Sequence, residues 1–456
     1  MKTKWLKVLS LLACLSLSVG LVACREKGGD HGDTSNGNSS SSEISSNEQG
    51  DGSNVEIFTD ANGIEYVLNA EQNGYVVAGY QGDATALELP SEYEGMPVTA
   101  IGEKAFRSCT KLTEIDIPDS VTAIGASAFA YSGLTEVEIP KTVTSIGSYA
   151  FYECNGLTEI TVPDAVSAIA EGAFGHCDKL TKVVLPDSIT SIKDNAFAFC
   201  GELTEFELPN SLTDIGANAF FQCPDLTEII LPNQLKKIGD AAFAYCANLS
   251  HLEIPASVTS IGKDAFFNCD KIEGVYITDM AAWCKIKFKE RTANPLYTAR
   301  KLYLNNELVT KVTLPSGVSE ICEYAFAYCE SLTEIVLSEN VTEIGQGAFW
   351  ACENLEKVNT NKKLKKIGDY AFNECSSLIE IDLPNSLKNI GNAAFSYCYN
   401  LNQIIISESV SNMGSKVFQN CSSLEIYCRM KSQPTTTWKT DWNYSNCPVV
   451  WGYTGE

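Results

Sequence analysis

Residues 226–246 read LTEIILPNQLKKIGDAAFAYC. Leu226, Ile229 and Leu231 follow the L-x-x-L-x-L spacing of a short strand whose apolar side chains face inward. Pro232 cannot donate a ladder hydrogen bond, so it ends that strand. Ile238 and Phe243 then bring the chain back to the interior from the opposite side. The stretch therefore predicts one coil of a solenoid.

The same unit recurs through most of the chain. Its Phe is spaced by 23 residues, apart from one step of 22 and one of 60. The six apolar side chains of a unit contribute roughly 9–18 kcal/mol if buried. Ordering its backbone costs about 1–2 kcal/mol per residue, so a single unit does not fold alone, whereas stacked units share a core. The repeat Phe stands at thirteen positions: 106, 129, 151, 174, 197, 220, 243, 266, 326, 349, 372, 395 and 418.

The repeat predicts the fold class directly. We expect a repeat solenoid, a leucine-rich repeat of about 23 residues per coil. It should consist mostly of short parallel β-strands with turns and 3-10 segments, and it should be capped at both ends. The A-F-x-x-C and I-x-L-P elements, across residues 87–427, closely resemble the BspA-like leucine-rich repeats of bacterial surface proteins. That resemblance implies a surface adhesion or interaction protein, without naming a ligand.

The N-terminus carries a targeting signal. Lys2, Lys4 and Lys7 precede an apolar run that is too short to span a bilayer, and a small-residue region follows it. Its ending, residues 21–24 (LVAC), resembles the lipobox of bacterial lipoproteins, which implies that Cys24 is the lipid attachment site and the mature N-terminus. A plain secretory peptide with a chance Cys is the alternative. The lipid would be the only membrane anchor, and it would hold the protein on the extracellular face of a bacterial membrane.

The chain divides into seven segments on this basis. Residues 24–54 are rich in Ser, Gly and Asn, and this composition predicts a flexible linker. The 60-residue step between two repeat Phe residues conceals an island insertion. The predicted segments are signal peptide 1–23, linker 24–54, N-terminal cap 55–100, repeats 101–277, island 278–310, repeats 311–427 and an aromatic-rich C-terminal cap 428–456.

The island and the caps carry their own signals. Asp279 is expected to be the N-cap of a short helix, and Asn305-Asn306 the turn of a hairpin. Residues 279–311 hold seven Lys/Arg and three Asp/Glu, a local charge of +4, so the island is either a spacer or a binding element. Residues 63–68 and 74–80 predict two strands in the N-terminal cap. The Trp and Tyr residues after 427 either cover the last coil or stack on sugars.

Twelve of the 18 cysteines stand three residues after a repeat Phe. Because free Cys packs as a small hydrophobe, we expect a column of buried, unreactive thiols rather than disulfides between coils. A disulfide between Cys428 and Cys447 remains open, and the spacing indicates no metal site. This structural cysteine ladder comprises Cys109, Cys154, Cys177, Cys200, Cys223, Cys246, Cys269, Cys329, Cys352, Cys375, Cys398 and Cys421.

Two surface columns are candidates for binding. The first is acidic and stands just before the strand Ile, where Lys182, Lys311 and Lys357 interrupt it; the second is aromatic and follows the repeat Phe. Either column has a plainer interpretation, as a solvated face or as packing between coils. The candidates are Glu114, Glu136, Glu159, Glu205, Glu228, Glu334, Glu380, Tyr152, Tyr245, Tyr328 and Trp350.

Charge and composition exclude other function classes. The net charge is −24, and removing the three N-terminal lysines leaves −27 on the mature chain. Nucleic-acid binding needs clustered Lys and Arg, so it is not expected. The sequence has no G-x-S-x-G, H-E-x-x-H or phosphate-binding glycine loop, so we expect neither catalysis nor a cofactor. An extracellular protein is the favoured partner; a glycan or cell-wall ligand, or an inert envelope spacer, are the alternatives.

Overall fold

The structure is a computed structural model that describes residues 56–434 and 437–455. The predicted signal peptide, Cys24 and the linker lie outside the described residues. The described residues form a β-solenoid of about 16 turns with a spacing near 23 residues and little helix. The predicted repeat solenoid is therefore confirmed.

One surface of the solenoid, here the LTEI face, is formed by the strand that contains the motif LTEI. Neighbouring strands pair in parallel and in register, for example Glu159 with Lys182 and Lys182 with Glu205. The described strands of this face are Ala86–Glu88, Glu114–Asp116, Glu159–Thr161, Lys182–Val184, Glu205–Phe206, Leu252–Glu253, Val275–Ile277, Leu302–Leu304, Lys311–Thr313, Glu334–Val336, Lys357–Asn359, Glu380–Ile381, Gln403–Ile406, Glu425–Cys428 and Val449–Trp451.

A second surface, the IG face, is formed by the strand that precedes the Ile-Gly dipeptide. Its strands also pair in parallel, with Ile192 beside Ile215 and Ile215 beside Ile238. The strands are Met96–Ile101, Ala123–Ile124, Ser145–Ile146, Ala168–Ile169, Ser191–Ile192, Asp214–Ile215, Lys237–Ile238, Ser260–Ile261, Lys287–Phe288, Glu320–Ile321, Glu343–Ile344, Lys366–Ile367, Asn389–Ile390 and Asn412–Met413.

Glycine on the IG face is explained by close approach of the backbones. A Cβ on Gly345 would lie 2.7 Å from the amide nitrogen of Glu323 in the preceding coil, which is closer than any real Cβ contact. The φ angle of Gly345 is not positive. Three of the thirteen coils carry Ala170, Lys193 or Cys322 at this position, which agrees with the absence of a positive-φ requirement.

The third side of each coil is the AF turn, the segment around the repeat Phe. Asn218 and Gln222, two residues before and after Phe220, are left-handed with φ of 54° and 55°. Their amides donate to the next coil, to the carbonyls of Asp240 at 2.8 Å and Ala244 at 2.9 Å. All thirteen AF turns share these two left-handed positions. The cost of a left-handed L-residue, about 1–2 kcal/mol, is thus offset by hydrogen bonds between coils.

The AF turns also refine the prediction of 3-10 segments. Within residues 56–434 and 437–455 the 3-10 helix is Arg291–Ala293, in the island, and the AF turns are not 3-10 helices. Successive amides of an AF turn donate alternately to a carbonyl of the next coil and to a carbonyl of their own turn. This alternation prevents a continuous run of i→i+3 hydrogen bonds. The sequence could not show this, because the left-handed residues are of ordinary types.

The core is organised around the repeat Phe rings, which are fully buried and stacked. From Phe106 to Phe266 consecutive ring centroids lie 5.1–5.5 Å apart with nearly parallel planes. A second stack runs from Phe326 to Phe418 at 5.2–5.7 Å. These distances are close to the spacing of paired strands, so the rings follow the coils one by one.

Each end of the stack is covered. In the N-terminal segment, strands Ile64–Leu68 and Tyr75–Tyr80 match the two predicted strands and pair antiparallel. They are flanked by Phe58–Thr59 on one side and Met96–Ile101 on the other. Tyr80 packs 5.7 Å from Phe106. At the other end Trp442 meets Phe418 edge-on at 6.0 Å, and both Trp438 and Trp442 are buried. Their burial favours the interpretation of these aromatics as a cap.

The island forms a coil of its own between the two Phe stacks. Its strands continue both faces, since Val275 pairs with Leu302 and Ser260 pairs with Lys287. The predicted helix is Met280–Trp283 and Asp279 caps it, accepting from the amides of Ala281 and Ala282. A second helix spans Leu296–Ala299. The predicted hairpin joins Leu302–Leu304 to Glu307–Leu308, with both turn Asn residues left-handed.

Candidate interaction surfaces

The predicted acidic column lies on the LTEI face. Six of its members are exposed and Glu334 is half-buried. The register interleaves them with lysines, and Lys182 lies 3.4 Å from Glu205, Lys311 3.2 Å from Glu334, and Lys357 2.7 Å from Glu380. The exposed members are Glu114, Glu136, Glu159, Glu205, Glu228 and Glu380.

These ion pairs change the electrostatics of the LTEI face. Hydrogen bonds from Lys311 and Asn359 hold the pKa of Glu334 below its usual value. The hydrogen bond to Glu380 raises the pKa of Lys357. Exposed pairs of this kind contribute little to stability. The face is therefore a mixed row of opposite charges rather than a continuous acidic strip.

The predicted aromatic residues lie on the outside of the AF turns. Tyr152, Tyr245 and Trp350 are half-buried, and Tyr328 is buried with 8% of its surface exposed. Tyr152, Tyr245 and Tyr328 belong to one continuous row of rings. Trp350 lies outside this row and stacks on Tyr370, with ring centroids 5.1 Å apart. Each of these rings packs against a ring of the adjacent coil, as the plainer interpretation of the column expects.

We call this row the aromatic stripe. Its nine rings run across consecutive coils and through the island, with centroids 4.1–6.3 Å apart. The sequence candidates include three of its members, Tyr152, Tyr245 and Tyr328. They do not include Tyr297, because an island residue does not follow the repeat pattern. The members are Tyr131, Tyr152, His176, Phe199, Phe221, Tyr245, Phe267, Tyr297 and Tyr328.

Arginines close both ends of the aromatic stripe. Arg107 lies over Tyr131 with its guanidinium carbon 5.1 Å from the ring centroid. Arg300 lies 4.8 Å from the centroid of Tyr328 and 5.9 Å from that of Tyr297. Cation–π contacts of this kind contribute about 0.5–1 kcal/mol at exposed sites. The stripe is thus a bounded surface of aromatic and Arg side chains.

The cysteines of the predicted ladder line the interior beside the Phe stack, and all twelve are buried and free. In ten coils the thiol donates to the carbonyl of the Phe one coil earlier, as Cys246 does to Phe220 at 3.2 Å. Cys329 follows the island, where that Phe is missing, and its Sγ lies 3.5 Å from the Ser331 hydroxyl. The ladder therefore bonds coil to coil.

Burial makes these thiols unreactive. Desolvation raises the pKa of Cys246 to about 12 and that of Cys154 to about 11. The thiolate is the nucleophilic form, so a raised pKa suppresses it at neutral pH. Cys428 and Cys447 are also free and buried, and the Cys447 thiol donates to the carbonyl of Cys421 at 3.4 Å.

The island is joined to the second repeat block by buried polar contacts. The indole Nε1 of Trp283 donates to the carbonyl of Ala325 at 2.9 Å. The side-chain amide of Asn294 donates to the carbonyl of Tyr324 at 2.7 Å and to that of Ala325 at 3.1 Å. Both side chains are buried. These contacts make the island a structural part of the solenoid.

A polar cleft opens on the LTEI face where the strand pairing is interrupted. Glu380–Ile381 and Gln403–Ile406 are consecutive strands that belong to different sheets. A cavity of about 720 Å³ lies there, and its lining includes Asp382, Asn402 and Arg429. Carboxylate, amide and guanidinium groups together can both donate to and accept from a polyhydroxylated ligand.

The part of the chain that the structure describes lacks two further features. No group of three or more His, Cys, Asp or Glu residues there is arranged to hold a metal ion. Residues 56–434 and 437–455 contain no helix with the length and apolarity needed to traverse a bilayer.

Solved structures resemble this chain. A leucine-rich repeat protein from Bacteroides ovatus is 26% identical, with a TM-score of 0.51, 83% of this chain covered and 98% of that chain. A leucine rich cell surface protein from Faecalibacterium prausnitzii is 25% identical, with a TM-score of 0.46, 88% of this chain covered and 99% of that one. No curated protein matches the sequence.

The family assignment rests on the repeats themselves. The family described as the BspA type leucine rich repeat region, in six copies, matches residues 83–201, 167–289 and 299–425. These ranges cover most of the chain and both Phe stacks. With the motif, the stacked coils and the matched ranges in agreement, the chain belongs to the family of BspA-type leucine-rich-repeat proteins.

Proposed function

We propose that this protein is a lipid-anchored surface protein of a bacterial cell that binds other extracellular proteins through its repeat surface and catalyses no reaction. Membership of a leucine-rich-repeat family supports a surface or protein-interaction role. The lipid anchor, adhesion and the extracellular location rest on the lipobox-like LVAC at residues 21–24 and on the linker that follows.

The aromatic stripe is the observation that carries the binding proposal. Protein interfaces are enriched in Tyr, Trp, Phe and Arg, and the residues that dominate binding energy are of these types. Eight of the nine rings are half-buried, so each presents part of its surface to solvent. Contact with a partner would bury the remaining apolar area of a rigid row, which loses little side-chain entropy.

A protein partner fits the stripe better than a sugar. Sugars stack on flat ring faces, but most neighbouring rings here meet edge to face, for example Phe199 with Phe221 at an interplanar angle of 63°. Glycan binding is a second candidate function, and the polar cleft beside Asp382 and Arg429 is the observation that favours it.

The charged groups support a non-catalytic role. Burial raises the pKa of Asp240, but hydrogen bonds from Lys289 and from the Lys263 amide outweigh it, and the net pKa lies below its usual value. Glu334 is likewise held ionised by Lys311 and Asn359. A carboxylate-pair hydrolase instead needs one carboxyl whose pKa is raised.

The binding proposal is tested by capturing extracellular proteins on the immobilised full chain. The stripe variant replaces Phe199 and Phe221 with Ser, and the matched control replaces Glu205 and Glu228 on the LTEI face with Gln. We expect the amount of captured protein to fall at least tenfold on the stripe variant and to stay unchanged on the control. Loss from the control alone would contradict a role for the stripe.

Two further measurements separate the alternatives. The first measurement is binding to a glycan array. Glycan binding would be favoured if the parent chain and the stripe variant both bind the array and Arg429→Ala, in the polar cleft, abolishes that binding. For the anchor, expression with a radiolabelled fatty acid should label the parent chain, and Cys24→Ala should abolish the label. Equal labelling of the Cys24→Ala variant would contradict lipid attachment at Cys24.

A further inference from the structure

Two cysteines near the island stand outside the ladder and lie next to each other. Cys284 follows helix Met280–Trp283 as its C-cap, and Cys322 occupies the position of the Ile-Gly glycine in the next coil. The amide of Cys322 donates to the carbonyl of Cys284 at 2.9 Å. A backbone N–H···O=C bond of this length places the Cα atoms of its two residues roughly 5–6 Å apart, which is within the span of a disulfide.

The two thiols also lie near each other, since the Cys322 thiol contributes to the raised pKa of Cys284. Ladder thiols instead donate to Phe carbonyls, as Cys223 does to Phe197 at 3.2 Å. This pair therefore differs from the ladder cysteines in the group that each thiol meets.

We propose that Cys284 and Cys322 are a dithiol modification site that forms an intrachain disulfide by exchange with a disulfide-bearing oxidant. The Cys322 thiolate attacks one sulfur of the oxidant, a mixed disulfide forms, and one oxidant thiol leaves. The Cys284 thiol then loses its proton to solvent and attacks the Cys322 sulfur, which expels the second oxidant thiol. Two protein thiols and one oxidant disulfide thus become one protein disulfide and two oxidant thiols.

Burial sets the order of these steps. Cys322 is half-buried, whereas Cys284 is fully buried, so the oxidant reaches Cys322 first. Burial, with a further contribution from the nearby Cys322 thiol, raises the pKa of Cys284 to about 12, and burial also raises the pKa of Cys322. The thiolate is the reactive form, so the exchange accelerates as the pH rises towards these values.

The disulfide would close the junction between the two repeat blocks. The Phe stack is interrupted there, between Phe266 and Phe326, and the island is held to the second block by Trp283 and Asn294. A bond between Cys284 and Cys322 encloses the 37 residues between them (285–321), which includes most of the island. Cross-linking a loop of this length restricts the unfolded chain and stabilises the folded one.

The test exposes the folded full chain to oxidised glutathione at pH 8.5 and then alkylates it under denaturing conditions. Digestion with trypsin and a glutamate-specific protease separates Cys322 from Cys329, because Glu323 lies between them. We expect a cross-linked peptide that joins Cys284 to Cys322, and a rise in unfolding temperature that a reductant reverses.

The matched variant is Cys322→Gly, which restores the residue that ten other coils carry at this position. It should show neither the cross-link nor the oxidant-dependent rise in unfolding temperature. If it fails to fold, Cys284→Ala serves the same purpose. Recovery of both cysteines as alkylated thiols, or of Cys322 as a lasting mixed disulfide with glutathione, would overturn the proposal.

Discussion

The thiol of Cys223 donates to the carbonyl oxygen of Phe197, 3.2 Å away and one coil earlier in the solenoid. This bond links the two most regular elements of the repeat, the Phe stack and the cysteine ladder. A disulfide sulfur has no hydrogen to donate, so this bond requires the ladder cysteine to be a thiol.

The ladder bond predicts an order of stability among variants of Cys223. Cys223→Ala removes the donor and leaves a small void, so the free energy of unfolding should fall by about 1–3 kcal/mol. Cys223→Ser keeps a donor and should lie between Ala and the parent. Urea unfolding of the three proteins measures the order. A Ser variant less stable than the Ala variant would show that the hydrogen bond contributes nothing.

The buried thiols predict a loss of stability at alkaline pH. The pKa of Cys246 is raised to about 12, against about 8.5 in an unfolded chain. Stability is therefore fully present below about pH 8 and falls above it, as the unfolded chain releases protons that the folded chain retains. The slope that each such thiol contributes approaches about −1.4 kcal/mol per pH unit once that thiol is fully ionised in the unfolded chain.

Urea unfolding between pH 7.5 and 9.5 measures this slope. The Cys246→Ala variant has one titrating thiol fewer, so across this range its stability should fall by about 1.4 kcal/mol less in total than that of the parent. Identical slopes for parent and variant would mean that Cys246 titrates normally in the folded protein.

Trp283 is predicted to hold the two repeat blocks together. Its side chain is 1% exposed, and its Nε1 donates across the junction to Ala325. Trp283→Ala should cost about 3–5 kcal/mol, and unfolding of the chain should separate into two transitions, because the blocks then lose a large buried side chain at their junction. Calorimetry checks this, with Tyr444→Ala, at a site 55% exposed, as the control. One sharp transition at the parent's temperature would contradict the prediction.

Much of the architecture was predictable from single residues. Phe at a fixed spacing predicted the internal stack, Asp279 predicted the start of the island helix, and Asn305-Asn306 predicted the hairpin turn. These features are local: each depends on the conformational or hydrophobic preference of the residue itself, which the sequence states directly.

Other features depend on contacts between coils and were not predictable. Asn218 and Gln222 are left-handed because their amides meet the next coil, and nothing in their side chains marks this. Tyr297 joins the aromatic stripe, and Cys284 meets Cys322, because of the path that the island takes. The spacing of residues along the chain does not encode that path.

Phe220 and Phe221 provide the most direct test of the account, because adjacent residues have opposite roles. Phe220 is fully buried between Phe197 and Phe243, whereas Phe221 lies half-buried in the aromatic stripe. We expect Phe220→Ala to lose about 3–5 kcal/mol of unfolding free energy, and Phe221→Ala to lose about 1 kcal/mol while weakening partner capture severalfold. Equal loss of stability in the two variants, with partner capture unchanged in Phe221→Ala, would contradict both the internal stack and the external binding surface.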